Sequence, residues 1–257
     1  MSWIPGKKYF EGGICTVTRN MANQVVVVTG SSSGIGKETV KGLAAKNATI
    51  VMATRNKAKT LPIMDAIKQE TGNQNIDHIP LDLTDLQSVK AFAQEFKSKY
   101  NHLDVLVNNA APTLYLERTL TPQGFDMSFG VSYVGHYYLT RLLLDTIKKT
   151  DNSRIIFTST KSATKSPLNW ENLNSEKKYD PWPAEVQAKR ANLMFASELQ
   201  RRLENDSVKV MSLHPGWVRS EGFDTIKAPF WMQLGFKTLY CSLYYFGKNQ
   251  QQGAQTN

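Results

Sequence analysis

Residues 185–192 read EVQAKRAN and place a carboxylate, Glu185, one helical turn before an ammonium, Lys189. On an exposed helix such a pair adds only about 0.2–0.5 kcal/mol. Inside a pocket the same two groups can give, take or steer a proton. A second stretch bears chemistry of another kind: TGSSSGIGKET, residues 29–39, spaces Gly30, Gly34 and Gly36 so that the backbone turns tightly and approaches a pyrophosphate. Ser32, Ser33, Gly34, Ile35 and Gly36 would receive that group where the helix opens. Next comes ATRNKAK, residues 53–59, with Arg55 where a dinucleotide fold holds the adenosine ribose. A guanidinium there suits a 2′-phosphate, which predicts NADP(H) rather than NAD(H). The four histidines, His78, His102, His136 and His214, lie on separate segments without ligand spacing, so no metal site is expected.

These groups need a frame. The runs VVVVT (25–29), TIVMA (49–53), IDHIPL (76–81), DVLVNN (104–109), RIIFTS (154–159) and VKVMSL (208–213) are rich in β-branched residues and predict strands buried on both faces. Helical stretches lie between them, among them 83–100 and 184–205. In the first, Leu86, Val89, Phe92, Ala93 and Phe96 form one stripe, with Thr84 or Asp85 as N-cap. Strand and helix alternating in this way predict an α/β fold: a doubly wound parallel sheet with helices on both faces, over residues 25–257, after an N-terminal extension of residues 1–24. The last residues, QQQGAQTN, start a helix with no strand after it, so either the far edge of the sheet is missing or the chain continues past Asn257.

Composition narrows the function classes. Of 257 residues 41% are hydrophobic, and no run approaches the roughly 18 apolar residues of a membrane span. Lys and Arg number 31 against 22 Asp and Glu, a net charge of +9 that favours acidic partners. That charge is spread evenly along the chain, which argues against nucleic acid. Two cysteines, Cys15 and Cys241, make neither a disulfide framework nor a metal cluster and point to a reducing, intracellular compartment. The N-terminus shows neither a secretory nor a transit pattern. Residues 228–247 carry seven aromatics and one charge, Lys237. They predict either a lid over a pocket or a surface that touches lipid or a partner protein.

TGSSSGIG, the pair Asp82–Leu83 after the third strand, NNA at 108–110 after the fourth, and HPGWVRS at 214–220 resemble the short-chain dehydrogenase/reductase superfamily. KKYFEGGICT, GHYYLTRLLL, KRANLMFASEL and GAQT are most similar to its retinol dehydrogenase-like branch. The resemblance implies that Asp82, with Leu83 beside it, meets the adenine, that Asn108 and Ala110 meet the cofactor ribose, and that Pro215, Gly216 and Val218 meet the nicotinamide end. It also implies a catalytic tetrad of Asn, Ser, Tyr and Lys. Here Lys189 is retained, while the tyrosine position is Glu185, the serine position Thr160 and the asparagine position Ser132.

An ammonium raises the acidity of a neighbouring tyrosine toward the useful range, but it lowers a carboxyl from about 4.3 and so makes Glu185 a poorer proton donor. Tyr179 lies ten residues before Lys189 and offers no replacement. On this argument the first expectation is a catalytically degenerate member that binds NADP(H) and serves as a structural or interaction subunit. Its partners would be proteins of a larger assembly, with a lean toward a mitochondrial or other membrane-bound site. The alternative is an active NADP-dependent oxidoreductase on apolar carbonyls or alcohols such as retinal-like or lipid aldehydes.

Overall fold

The computed structural model describes residues 15–112, 114–216, 218 and 248–255. Among the described residues six strands are formed: β1 (Val25–Thr29), β2 (Thr49–Thr54), β3 (Ile76–Pro80), β4 (Val105–Asn108), β5 (Arg154–Thr158) and β6 (Lys209–Leu213). Helices α1 (Gly34–Ala44), α2 (Lys57–Thr71) and α3 (Leu86–Lys99) alternate with the first of them. A single turn, Met127–Phe129, runs through a π-helical stretch, Gly130–Gly135, into α4 (His136–Ile147). Then come α5 (Lys161–Lys165), α6 (Pro181–Arg202) and α7 (Gln250–Ala254).

All neighbouring strands are parallel, in the order β3-β2-β1-β4-β5-β6. Because side chains alternate across a strand, β1 feeds two cores. Val25 and Val27 pack with Phe92 and Phe96 of α3, Leu139 and Leu143 of α4 and Leu199 of α6. Val26 and Val28 pack on the other face with Val40 and Ala44 of α1 and Met64 and Ile67 of α2. The direction of winding reverses between β1 and β4, and a crevice opens at such a switch point beyond the carboxyl ends of the strands. Thr29 and Asn108 end those two strands and so stand at its floor.

The expected strands are present to within a residue or two. The exception is the burial of β6, where Lys209 and Met211 are exposed, so two-sided burial does not extend to the last described strand. Asp85 caps α3 by accepting from the Gln87 amide, and Val89, Phe92, Ala93 and Phe96 are buried as the stripe requires. Helix α6 starts three residues upstream of the expected 184, because Asp180 accepts from Trp182 N–H and proline is favoured in a first turn. Residues 228–247 lie outside the described residues, as do Trp217 and Cys241. Among the described residues no helix is long and apolar enough to cross a membrane.

Candidate active site

The nucleotide side is built from backbone. Gly30 leaves β1 at φ +64°, and a Cβ there would lie 2.8 Å from Ala110 Cα. Gly34 is also left-handed, at +56°, and a Cβ on Gly36 would run into the carbonyl oxygen of Gly30 and lie 2.7 Å from Asn109 Nδ2. Only glycine allows this closeness. Ser33 is the N-cap residue of α1 yet its side chain makes no capping bond, which leaves the helix opening to a ligand. Buried Ser31 Oγ and Asn108 Oδ1 have no hydrogen-bond partner within the protein. A cradle that a Cβ would fill, with two buried polar atoms awaiting partners, fits a dinucleotide.

At the edge of this cradle Arg55 is 69% exposed and its guanidinium stands 4.0 Å from Asp82 Oδ2. The other Asp82 oxygen accepts from Thr84 N–H and from its hydroxyl at 2.9 and 2.8 Å. Leu83 packs against Gly135, where a Cβ would sit 2.7 Å from the Leu83 carbonyl oxygen. Hence the π-helical stretch comes up directly against the loop after β3. After β6, Pro215 is buried and Gly216 is left-handed at φ +96°. Val218 pairs with Lys248 and packs on Gly253 of α7, next to Ile35 of α1.

The chemical side is built from side chains, and α6 and the π-helical stretch bring three tetrad positions together. Glu185 Oε1 lies 3.7 Å from Lys189 Nζ, with side-chain exposures of 21% and 10%. Ser132 Oγ donates to the two Glu185 oxygens at 3.2 and 3.4 Å. Ser128, which the sequence reading did not single out, supplies a second hydroxyl to the same carboxylate. Lys189 also donates to the Thr158 carbonyl oxygen at 3.3 Å, one step before Ser159, whose hydroxyl donates to the Lys189 carbonyl oxygen. Thr160, half-buried, is the N-cap residue of α5 with no capping bond from its side chain.

The expected direction of the Glu185 pKa is overturned. Loss of water around its carboxyl pushes the pKa up, and this outweighs the opposing pull of Lys189, Ser132 and Ser128, while the charge of Asp126 adds to the rise. A carboxyl raised in this way keeps its proton to higher pH than sequence reasoning allowed. Asp126 is itself raised by burial, and one of its oxygens is buried without a partner. Tyr179 remains excluded, now on geometry: its hydroxyl donates to the Tyr115 carbonyl oxygen at 2.7 Å and burial pushes its pKa up to about 12.

Beneath this site His136 is fully buried. Its ring meets Thr29 Oγ1 at 2.9 Å and the Ser132 carbonyl oxygen at 3.1 Å, and desolvation lowers its pKa to about 3. Asn192 Nδ2 donates to the same carbonyl at 2.6 Å. Among the described residues no group of His, Cys, Asp and Glu could hold a metal.

The short chain dehydrogenase family model matches residues 24–229. Human retinol dehydrogenase 11 is 39% identical over 251 residues, which is 98% of this chain and 76% of that protein. The crystal structure of an uncharacterised protein from Mycobacterium paratuberculosis has a TM-score of 0.67 at 30% identity and covers 93% of this chain and 92% of that one. An alcohol dehydrogenase from the archaeon Thermococcus sibiricus, solved with 5-hydroxy-NADP, shares the fold at a TM-score of 0.65 and 20% identity, over 88% of this chain and 94% of its own. With its glycine cradle, its strand order and its retained Lys189, the chain belongs to the short-chain dehydrogenase family of oxidoreductases.

Proposed function

We propose that this chain is an NADP(H)-dependent oxidoreductase that interconverts carbonyls and alcohols on apolar, retinoid- or lipid-like substrates, with Glu185 as its acid–base group. The observation that carries this reading is the upward shift of Glu185, seated on the retained Lys189 and on two serine hydroxyls. A nicotinamide, when bound, supplies or receives the hydride. In the reductive direction a protonated Glu185 gives its proton to the developing alkoxide, and in the oxidative direction its carboxylate removes the alcohol proton. A carboxyl is shorter than a phenol, so a bridging water between Glu185 and the substrate oxygen makes up the reach. Thr160 keeps a hydroxyl with which to orient the carbonyl. The 2′-phosphate preference rests on Arg55, and the apolar substrate class on the likeness to retinol dehydrogenase 11.

The test is NADPH turnover with retinal and long-chain aldehydes for the wild type and Glu185→Gln. We expect turnover in the wild type and a loss of about a hundredfold or more in the variant, within the 10²–10⁴ range of a lost acid–base group, with NADPH affinity retained. A second reading is favoured by the ion pair, which stabilises the ionised carboxylate: a cofactor-binding but degenerate subunit of a membrane-bound (mitochondrial) assembly, meeting proteins or lipid through residues 228–247. Saturable NADPH binding without turnover of any aldehyde selects that reading.

A further inference from the structure

A chain of hydrogen bonds runs between two parts of this site. At one end lies the turn after β4, which follows Asn108. The amides of Asn109 and Ala110 donate to Thr29 Oγ1 at 2.9 and 3.0 Å. That hydroxyl has accepted twice, so its own proton goes outward. The Val107 carbonyl oxygen is 3.3 Å away and His136 Nε2 is 2.9 Å away.

Donor logic settles the direction. The other ring nitrogen, Nδ1, faces the Ser132 carbonyl oxygen at 3.1 Å, and a carbonyl can only accept, so the imidazole proton is on Nδ1. Nε2 is therefore bare and accepts from Thr29. The Ser132 carbonyl oxygen holds two donors, His136 and Asn192, and its lone pairs are used. From the same residue the Ser132 hydroxyl donates to Glu185.

We infer that His136 is a positioning residue: through Thr29 on one side and the Ser132 carbonyl on the other, it ties the ribose-side turn to the helix that aims Ser132 at Glu185. The part concerning rate rests on the proposed oxidoreductase reading; the coupling itself does not. The imidazole is buried and is hydrogen-bonded to Thr29 at the end of β1 and to the Ser132 carbonyl in the π-helical stretch. A phenyl ring of similar size at 136 fills the space and breaks both links, while Thr29→Val breaks the link on one side and Thr29→Ser keeps it.

Three measurements on the full chain judge this. In ¹⁵N-histidine spectra of the wild type, His136 is expected with Nδ1 protonated and Nε2 bare throughout about pH 5 to 8, and the opposite tautomer would overturn the inference. Saturating NADPH should slow amide exchange in residues 130–136 of the wild type and of Thr29→Ser. In His136→Phe and Thr29→Val it should protect the glycine loop alone, and protection of 130–136 surviving in those two variants refutes the coupling. Single-turnover reduction should drop about tenfold to a hundredfold in His136→Phe, as expected for misplacement at a reacting centre, with carbonyl KM within about twofold. A rate drop with a parallel rise in KM marks His136 as ordinary core. If His136→Phe does not fold, the Thr29 pair carries the same comparison. If the wild type turns nothing over, the oxidoreductase reading fails while the tautomer and exchange results still decide on His136.

Discussion

The two walls of the crevice differ in what they are made of. The nucleotide wall is a set of backbone requirements: positive φ at Gly30 and Gly34, and no room for a Cβ at Gly30 or Gly36. The chemical wall is a set of side chains hung on helical backbone, Glu185 and Lys189 on α6 and Ser132 on the π-helical stretch. A backbone requirement admits one residue type, whereas a helix position fixes only the direction of a Cβ and lets the functional group change. That difference lets the side chains of the second wall vary without disturbing the fold, while the first admits glycine alone.

The largest expected effect breaks the first wall. Gly36→Val drives a branched side chain into Gly30 and Asn109, and NADPH affinity followed by fluorescence titration should fall more than about a hundredfold, roughly 2.8 kcal/mol. Glu185→Gln, on the second wall, should leave that affinity within about twofold while removing turnover. If Glu185→Gln also abolishes binding, the walls are not separable in this way. The pH profile sharpens the same point. A proton donor with a raised pKa keeps reduction running to higher pH than an unshifted carboxyl would, and the rate should fall as pH rises through that raised value. A reduction rate flat from acid to alkaline pH would remove Glu185 from the proton step.

The asymmetry also governs what could be read in the sequence. Strands, cradle and the placement of Glu185 beside Lys189 were legible because they follow from β-branched runs, glycine spacing and the (i, i+4) rule, all local properties. The sign of the Glu185 shift was not legible. It depends on how much water the fold takes from one carboxyl and on Asp126, a residue 59 positions away that no pattern connects to it. Ser128, Asn192 and the Thr29 link were missed for the same reason, since each acts through a contact made only when β1, the π-helical stretch and α6 converge. The four residues before the π-helical stretch, DMSF, gave no sign of two groups facing Glu185.

A middling effect concerns stability below neutrality. His136 has a native pKa of about 3 against an ordinary value of 6.5, so between those values the unfolded chain binds a proton that the native protein refuses. Stability is thus full above about pH 6.5 and falls as the pH drops, by up to about 1.4 kcal/mol per unit from this group alone. Asp126 and Glu185 have raised pKa values and work against the trend, so the wild-type slope by itself is a mixture. The difference isolates the histidine: His136→Gln should show a shallower loss of denaturation midpoint from pH 6.5 to 4.5 than the wild type. Equal slopes would mean that the buried imidazole takes up its proton without unfolding.

The smallest expected effect lies at the rim of the nucleotide wall, where side chains return. Arg55 is mostly exposed and 4.0 Å from Asp82, a geometry in which an ion pair contributes at most about 0.5 kcal/mol to folding. Arg55→Ala should accordingly leave the thermal midpoint almost unchanged. A 2′-phosphate brings more charge to the same guanidinium than Asp82 does, and its removal should cost NADPH about tenfold, close to 1.4 kcal/mol, while NADH changes little. The two readouts separate folding from recognition at one residue. A shifted midpoint with unchanged selectivity would make Arg55 a structural partner of Asp82, and an equal loss for both cofactors would place it on the shared pyrophosphate. Selectivity lost at constant stability is the outcome that sets this rim apart from the glycine cradle: there the backbone admits any dinucleotide, and here one side chain chooses between two.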